Sequence, residues 1–369
     1  MHKYLKLTVC FLTLLCVIGC KTKAEDPDSQ TILNEEANKP KIVNIINFIR
    51  DIEPRDEAIT KEVLFETTKS QVEIMRKYDL GGTFLLQYDA LIDDPYQELL
   101  KGLPVDSFEI GAWWEIPQPL VEKAGLEWRG RFPWDWHPDV GFSTGYTPKE
   151  REQLVDVYME DFKKIFGYYP KSVASWFIDA HTLNYMYEKY GIIASANCKD
   201  QYGTDGYTLW GGYWNQAYYP SKLNSYMPAQ NAENQIPVPI FRMLGSDPIY
   251  QYDTGLEHDR QGVISMEPVY PRSGGSEPWV DWYMKNFVDG ESMQYAYVQV
   301  GQENSFIWKD VKQGFEYQMP LFAKLRDQGK IKVETLAKTG AWFKENFKVT
   351  PATSVTVNTD YEDGNKKTL

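Results

Sequence analysis

The chain has 369 residues, enough to bury a large core as one big domain or two smaller ones. A formal net charge of -13 argues against binding a nucleic-acid phosphate backbone and for a well-solvated, monomeric surface. The 12 tryptophans and 25 tyrosines are more than a core needs.

In chain order, Lys3 and Lys6 precede an apolar run from Leu7 to Ile18. That run is shorter than the ~20 apolar residues of a membrane-spanning helix and fits the centre of a secretory signal. It ends in Val17-Ile18-Gly19-Cys20, which resembles the lipobox of bacterial lipoproteins. The resemblance implies a signal peptide over 1–19 and a lipid anchor on Cys20, holding the protein on a membrane of the cell envelope. Residues 20–39 read as a flexible linker. Its Ala24-Glu25-Asp26 is similar to stretches that send some lipoproteins to the outer face of the outer membrane, and fits a plain solvated linker equally well. With Cys10 and Cys16 removed and Cys20 lipidated, only Cys198 remains, so no intramolecular disulfide is possible.

From residue 40 to 347 strand and helix patterns alternate. Ile42–Ile49 is a short β-branched run and reads as a buried strand. Thr60–Tyr78 carries a helical apolar stripe, Gly81-Gly82 stops it, and Thr83–Tyr88 and Phe108–Trp114 read as the next strands. Thr147-Pro148-Lys149-Glu150 opens a helix with a capping box and a first-position proline, running to about Phe166. Ser172–Ile178 is a fourth strand, Thr182–Tyr190 a helix ended by Gly191, and Ile192–Ala196 a fifth strand. Val238–Leu244 and Tyr295–Val300 supply later strands, and Gln313–Gly329 closes the series with a helix. This alternation implies an α/β fold with a parallel sheet under helices, and about seven such units imply a distorted (β/α)7-type barrel. Residues 348–369 turn to β-type composition at Thr350–Val357, as a tail or the start of a β accessory segment. No Gly-x-Gly-x-x-Gly turn or phosphate loop is present, and no later segment is apolar enough to cross a membrane.

Several strand ends carry a resemblance. Asn47-Phe48-Ile49-Arg50-Asp51, Thr83-Phe84, Glu109-Ile110-Gly111, and Trp176-Phe177-Ile178-Asp179 with Tyr190-Gly191-Ile192 resemble motifs of the polysaccharide deacetylase and glycoside hydrolase family 57 superfamily of barrels. The resemblance covers about residues 40 to 200, and the whole chain is similar to glycoside hydrolase-like lipoproteins of carbohydrate-degrading bacteria. Deacetylases of that group bind a metal through an aspartate and two histidines three residues apart, placed after the "EIG" motif. Here that place reads Ala112-Trp113-Trp114-Glu115-Ile116-Pro117, without histidine, and His137, His181 and His258 are scattered. The expectation is therefore a site without metal or other cofactor, built of carboxylates and tryptophans as in a glycosidase.

Glycoside hydrolysis needs two carboxyl groups about one bond, ~5–5.5 Å apart for retention or ~6.5–9.5 Å for inversion, and barrels place their sites at the C-terminal strand ends. Asp51, Asp89, Glu115, Asp179, Asp247, Glu267 and Glu303 stand there. Asp179 resembles the family 57 nucleophile position, which holds glutamate, and equally suits a helix N-cap. Glu115, after two tryptophans, has the apolar setting that raises an acid's pKa. Glu303 and Glu267 each end a strand-like stretch, Glu303 on a late strand as the family 57 acid is. Asp51 would contact substrate or pair with Arg50 or Arg55, and His181 would contact substrate or serve the helix start. Trp113, Trp114, Trp134, Trp136, Trp210 and Trp214, with Asp205 among them, offer flat faces and polar neighbours for sugar rings. The sequence thus points to a glycoside hydrolase-like protein with a carbohydrate substrate. The alternatives are a surface glycan-binding protein with an inactive barrel and a degenerate deacetylase.

Overall fold

The computed structural model describes residues 39–204, 207–209, 212–213, 215–244 and 265–352, all within the compact unit Lys39–Leu369. The signal peptide, Cys20, Asp205, Trp210, Trp214, Asp247 and His258 lie outside them, as does the tail beyond Ala352.

The main sheet is built from β1 (Lys41–Ile49), β2 (Gly82–Leu86), β3 (Phe108–Trp113), β4 (Ser172–Ser175), β5 (Ala194–Asn197), β6 (Ala217–Tyr218), β7 (Ile240–Arg242), β8 (Ala296–Val300) and β9 (Lys332–Glu334). Its order is β8-β1-β2-β3-β4-β5-β7-β6, with β9 beside the first half of β1. All pairings are parallel except β6 on β7. Seven parallel strands, β8 through β7, therefore curl into a nearly closed (β/α)7 barrel. Among the described residues no strand pairing joins β8 to β7. Gln216 spans that seam instead: its backbone oxygen accepts from Arg242 N–H at 3.0 Å and its Oε1 from Tyr297 N–H at 2.8 Å.

Among the described residues the seven helices of eight residues or more are α1 (Lys61–Lys77), α2 (Asp94–Lys101), α3 (Pro148–Phe166), α4 (Ala180–Tyr190), α5 (Glu277–Asp289), α6 (Trp308–Asp327) and α7 (Leu336–Asn346). The capping box read at Thr147 and Glu150 forms, and Gly167 and Gly191 end their helices at φ 85° and 73°. None of the helices in the described residues is long and apolar enough to cross a membrane.

Period-two alternation separates two cores. On β1, Val43, Ile45 and Ile49 pack outward with helix residues such as Val72 and Met75, whereas Ile42, Ile46 and Phe48 pack inside the barrel with Leu85, Trp113 and Ala174. Two expectations change. Ser172–Ile178 is a strand only to Ser175, so Trp176 to Asp179 form a strand-end turn. The series does not close with α6, because β9 and α7 follow and the Leu336 and Phe343 side chains of α7 enter the inner core. Glu109, the glutamate of the "EIG" stretch, fastens this last helix. Its carboxylate accepts from Ala337 N–H at 2.8 Å, Thr83 Oγ1 at 3.2 Å and Ser172 Oγ at 2.5 Å.

Candidate active site

The strand C-termini surround a cleft of about 370 Å³, counting its open mouth. One side is aromatic: Phe48 and Trp113 stack at 3.9 Å between ring centroids, 5° from parallel, and Trp176 stands on edge to both at 5.5 and 5.6 Å. The other side is polar and carries Glu267, Gln299, Gln302 and Glu303. Parity explains the selection on β3. Glu109, Gly111, Trp113 and Glu115 alternate toward the barrel interior, and Trp114 falls on the helix side.

Behind the aromatic wall lies a buried charge cluster centred on Arg50. One nitrogen of its guanidinium donates to Glu115 Oε2 at 3.2 Å and to Glu303 Oε2 at 3.1 Å, and another to Glu53 Oε2 at 3.3 Å. The guanidinium also lies 3.9 Å over the Trp134 ring. Asn304 fixes the backbone beneath it, accepting from Arg50 N–H at 3.0 Å and donating to Arg50 O at 2.8 Å. Glu115 is satisfied on both oxygens, since Trp113 Nε1 donates at 2.8 Å and Trp176 Nε1 at 2.6 Å. Burial raises its pKa, opposed by the Arg50 charge and the two indole bonds. Burial also pushes Glu303 up to about 7, with Arg50 and Arg55 pulling the other way.

Glu267 is held differently. Lys199 Nζ lies 2.7 Å from its Oε2, as an ion pair whose angle is not that of a hydrogen bond, and 3.9 Å over the Tyr270 ring. Ser265 Oγ donates to the same oxygen at 2.8 Å, and Gln302 Nε2 to Oε1 at 3.5 Å. Two carboxyl groups thus reach one cleft from different surroundings, one beside an ammonium and one raised by burial. Contrasts of this kind separate an acid from its partner in hydrolases.

The remaining candidates sit elsewhere. Asp179 caps α4, accepting from Thr182 N–H at 3.0 Å, and pairs with Arg151 at 3.1 Å, so the helix-cap alternative is the one realised. Trp114 is not a sugar platform: it is buried among the helices with its Nε1 on Ser143 Oγ at 2.9 Å. Trp134 is buried beneath Arg50, and Trp136 stacks on Phe132 nearer the surface. His181 is exposed and contacts Glu152 at 3.1 Å. Asp51 pairs with Lys61, not with Arg50 or Arg55, and its N–H donates to Asp89 Oδ2 at 2.8 Å. Burial lifts Asp51 to about 6 and Asp89 to about 7. Phe48, Arg50, Trp176, Gln299 and Gln302 belong to the site and were not among the sequence candidates. Their signal was available in part: Phe48 and Trp113 share the inward parity, and Arg50 follows the β1 run directly. A search for carboxylates alone passes over it.

The β3 end does not suit a divalent metal. Where metal ligands would be needed, the groups meeting Glu115 are donors: two indole N–H groups and a guanidinium. Among the described residues no three His, Cys, Asp or Glu side chains converge as a metal-binding group.

Solved structures of similar fold include a candidate glycoside hydrolase/deacetylase from Parabacteroides distasonis, 15% identical, with a TM-score of 0.57 over 84% of this chain and 73% of that one. Another is a candidate polysaccharide deacetylase from Mycobacterium smegmatis, 10% identical, with a TM-score of 0.50 over 87% of this chain and 95% of that one. At these identities the likeness is one of fold. No curated protein sequence matches the chain. A family model described as a domain of unknown function with solved structure, DUF3863, matches residues 136–347. That is more than half of the chain, which therefore belongs to the DUF3863 family.

Proposed function

We propose that this protein is a metal-independent glycan hydrolase whose Glu303 is the general acid and whose Glu267 is the partner carboxylate. The observation that carries the reading is the convergence of these two carboxyl groups and an aromatic corner on one cleft at the barrel's C-terminal mouth. With its pKa raised to about 7, Glu303 is protonated in about half of the molecules at neutral pH, and that proton passes to the leaving glycosidic oxygen. Glu267 then serves as this chemistry requires of the second carboxylate, attacking the anomeric carbon or drawing a proton from the attacking water. Glu115 touches neither substrate nor water in this scheme. It orients Trp113, Trp176 and Arg50, and Asp179 serves only its helix. The fold neighbours described as polysaccharide deacetylases and glycoside hydrolases support a carbohydrate substrate.

The lipid anchor on Cys20, with the barrel held outside the cytoplasm at the cell envelope, is part of the same proposal. It rests on the Leu7–Ile18 run and Val17-Ile18-Gly19-Cys20. Labelling with a fatty-acid analogue in cells tests it: Cys20→Ser is expected to lose both label and membrane association, and retention of both would contradict it.

The catalytic reading is tested by incubating the full chain with a glycan panel and measuring reducing-sugar release. Release from at least one glycan, reduced about 10²–10⁴-fold in Glu303→Gln, is the expected result. Binding without release on every glycan would favour a surface glycan-binding protein instead.

A further inference from the structure

The groups left unpaired in the cleft carry information about the sugar. This step rests on the proposed carbohydrate site and concerns the class of sugar that fits it. Gln299 and Gln302 line the cleft, and each buries its side-chain oxygen without a hydrogen-bond partner. Buried acceptors need donors, and hydroxyl groups of a ligand supply them. Opposite stand Phe48, Trp113 and Trp176, with Ile46 and Met243 beside them, an apolar wall for the C–H face of a ring. The ionisable side chains that line it, among the described residues, are Glu267, Glu303 and the buried thiol of Cys198. The nearby cations are engaged: Lys199 with Glu267, and Arg50 with Glu53, Glu115 and Glu303. A carboxylate or sulfate on a sugar would meet two acids and two unsatisfied acceptors, and the ammonium beside the cleft, Lys199, is already paired with Glu267.

We propose that the cleft recognises a neutral pyranose, packing its C–H face on the Phe48–Trp113–Trp176 corner and donating hydroxyl protons to Gln299 and Gln302, and that it rejects uronic and sulfated sugars. The amide oxygens select for hydroxyl donors, and the two acids select against anions.

Isothermal titration calorimetry of the full chain tests this directly. The titrants are glucose, galactose and mannose, with glucuronate and galacturonate as anionic counterparts, each up to 100 mM at pH 6 and pH 8. At least one neutral hexose is expected to bind, with its uronate at least tenfold weaker and the gap wider at pH 8, where Glu303 is ionised. Gln299→Leu is expected to weaken that binding about tenfold without lowering Tm, since it removes an acceptor that is unpaired in the free protein, and Gln302→Met to weaken it by a similar factor while also losing the bond to Glu267. Equal or tighter binding of a uronate would overturn the proposal. So would the absence of binding by every neutral hexose, or unchanged affinity in both glutamine variants. The outcomes separate from those of the catalytic reading. Hexose binding with no glycan cleavage leaves the recognition standing and removes the hydrolase, and cleavage confined to polyuronides does the reverse.

Discussion

A guanidinium that is almost wholly buried must find its counter-charges inside the protein, and Arg50 finds Glu53, Glu115 and Glu303 within 3.3 Å. Glu53 has a second cation in Arg55, whereas Arg50 is the one cation that Glu115 and Glu303 contact directly. Arg50→Met removes the shared partner and leaves three buried acids facing one another. The expected cost is about 3–5 kcal/mol, measured by urea denaturation. A loss below about 1 kcal/mol would mean that the cluster is already neutral in the folded state. Glu115→Gln is a gentler change, since an amide keeps the shape and an oxygen that can accept from one indole. Its expected effect is a drop in kcat with Tm nearly kept, through the positions of Trp113 and Trp176. A rate unchanged in that variant would place Glu115 outside the positioning of the cleft.

At the scale of elements, the cleft is set by where strands stop. Gly301 follows β8 at φ 105°, and a Cβ there would come within 2.1 Å of Ile46 O, so only glycine lets the chain turn against β1 and deliver Glu303. Gly301→Ala is expected to lower stability by about 1–3 kcal/mol, by thermal unfolding, and to lower kcat as well. Thr147→Ala, which breaks the capping box of α3, is expected to cost about 0.5–2 kcal/mol while sparing the rate. Equal effects on rate from both variants would contradict a cleft placed by the β8 turn. These elements also divide what local pattern reveals from what it hides. The apolar β1 run, the cap at Thr147 and the glycine stop at Gly191 are local signals, and each element stands close to its expected place. The strand β9 is three residues long, and α7 presents Thr339 and Gly340 among its buried positions, so neither declares itself by hydrophobic period. The Arg50 cluster joins residues 65 and 253 positions apart, a convergence that only the closed barrel creates.

For the whole molecule, several buried acids titrate far from their unfolded values. Glu303 rises from 4.5 to about 7, Asp89 from 3.8 to about 7 and Asp51 from 3.8 to about 6, each mainly through burial. The folded state therefore keeps protons that the unfolded chain releases, so unfolding is favoured as pH rises. The contribution is complete below about pH 4 and lost progressively up to about pH 7. Glu53 and Asp135 are shifted downward by Arg55 and Arg131, so their contribution is lost only as pH falls below about 4.5 and stays constant between pH 5 and pH 8. Tm is expected to be higher at pH 5 than at pH 8, and Asp89→Asn is expected to reduce the difference. A Tm that rises between pH 5 and pH 8 would contradict the raised acids.

The most direct test of the central claim is the pH–rate profile of sugar release by the wild type and Glu303→Gln. A general acid must be protonated to act, so the wild-type rate is expected to fall as pH passes about 7. In Glu303→Gln that alkaline limb is expected to vanish along with about 10²–10⁴-fold of the rate. A variant that keeps both the wild-type rate and its alkaline limb would show that the proton comes from elsewhere, and the assignment of Glu303 would fall.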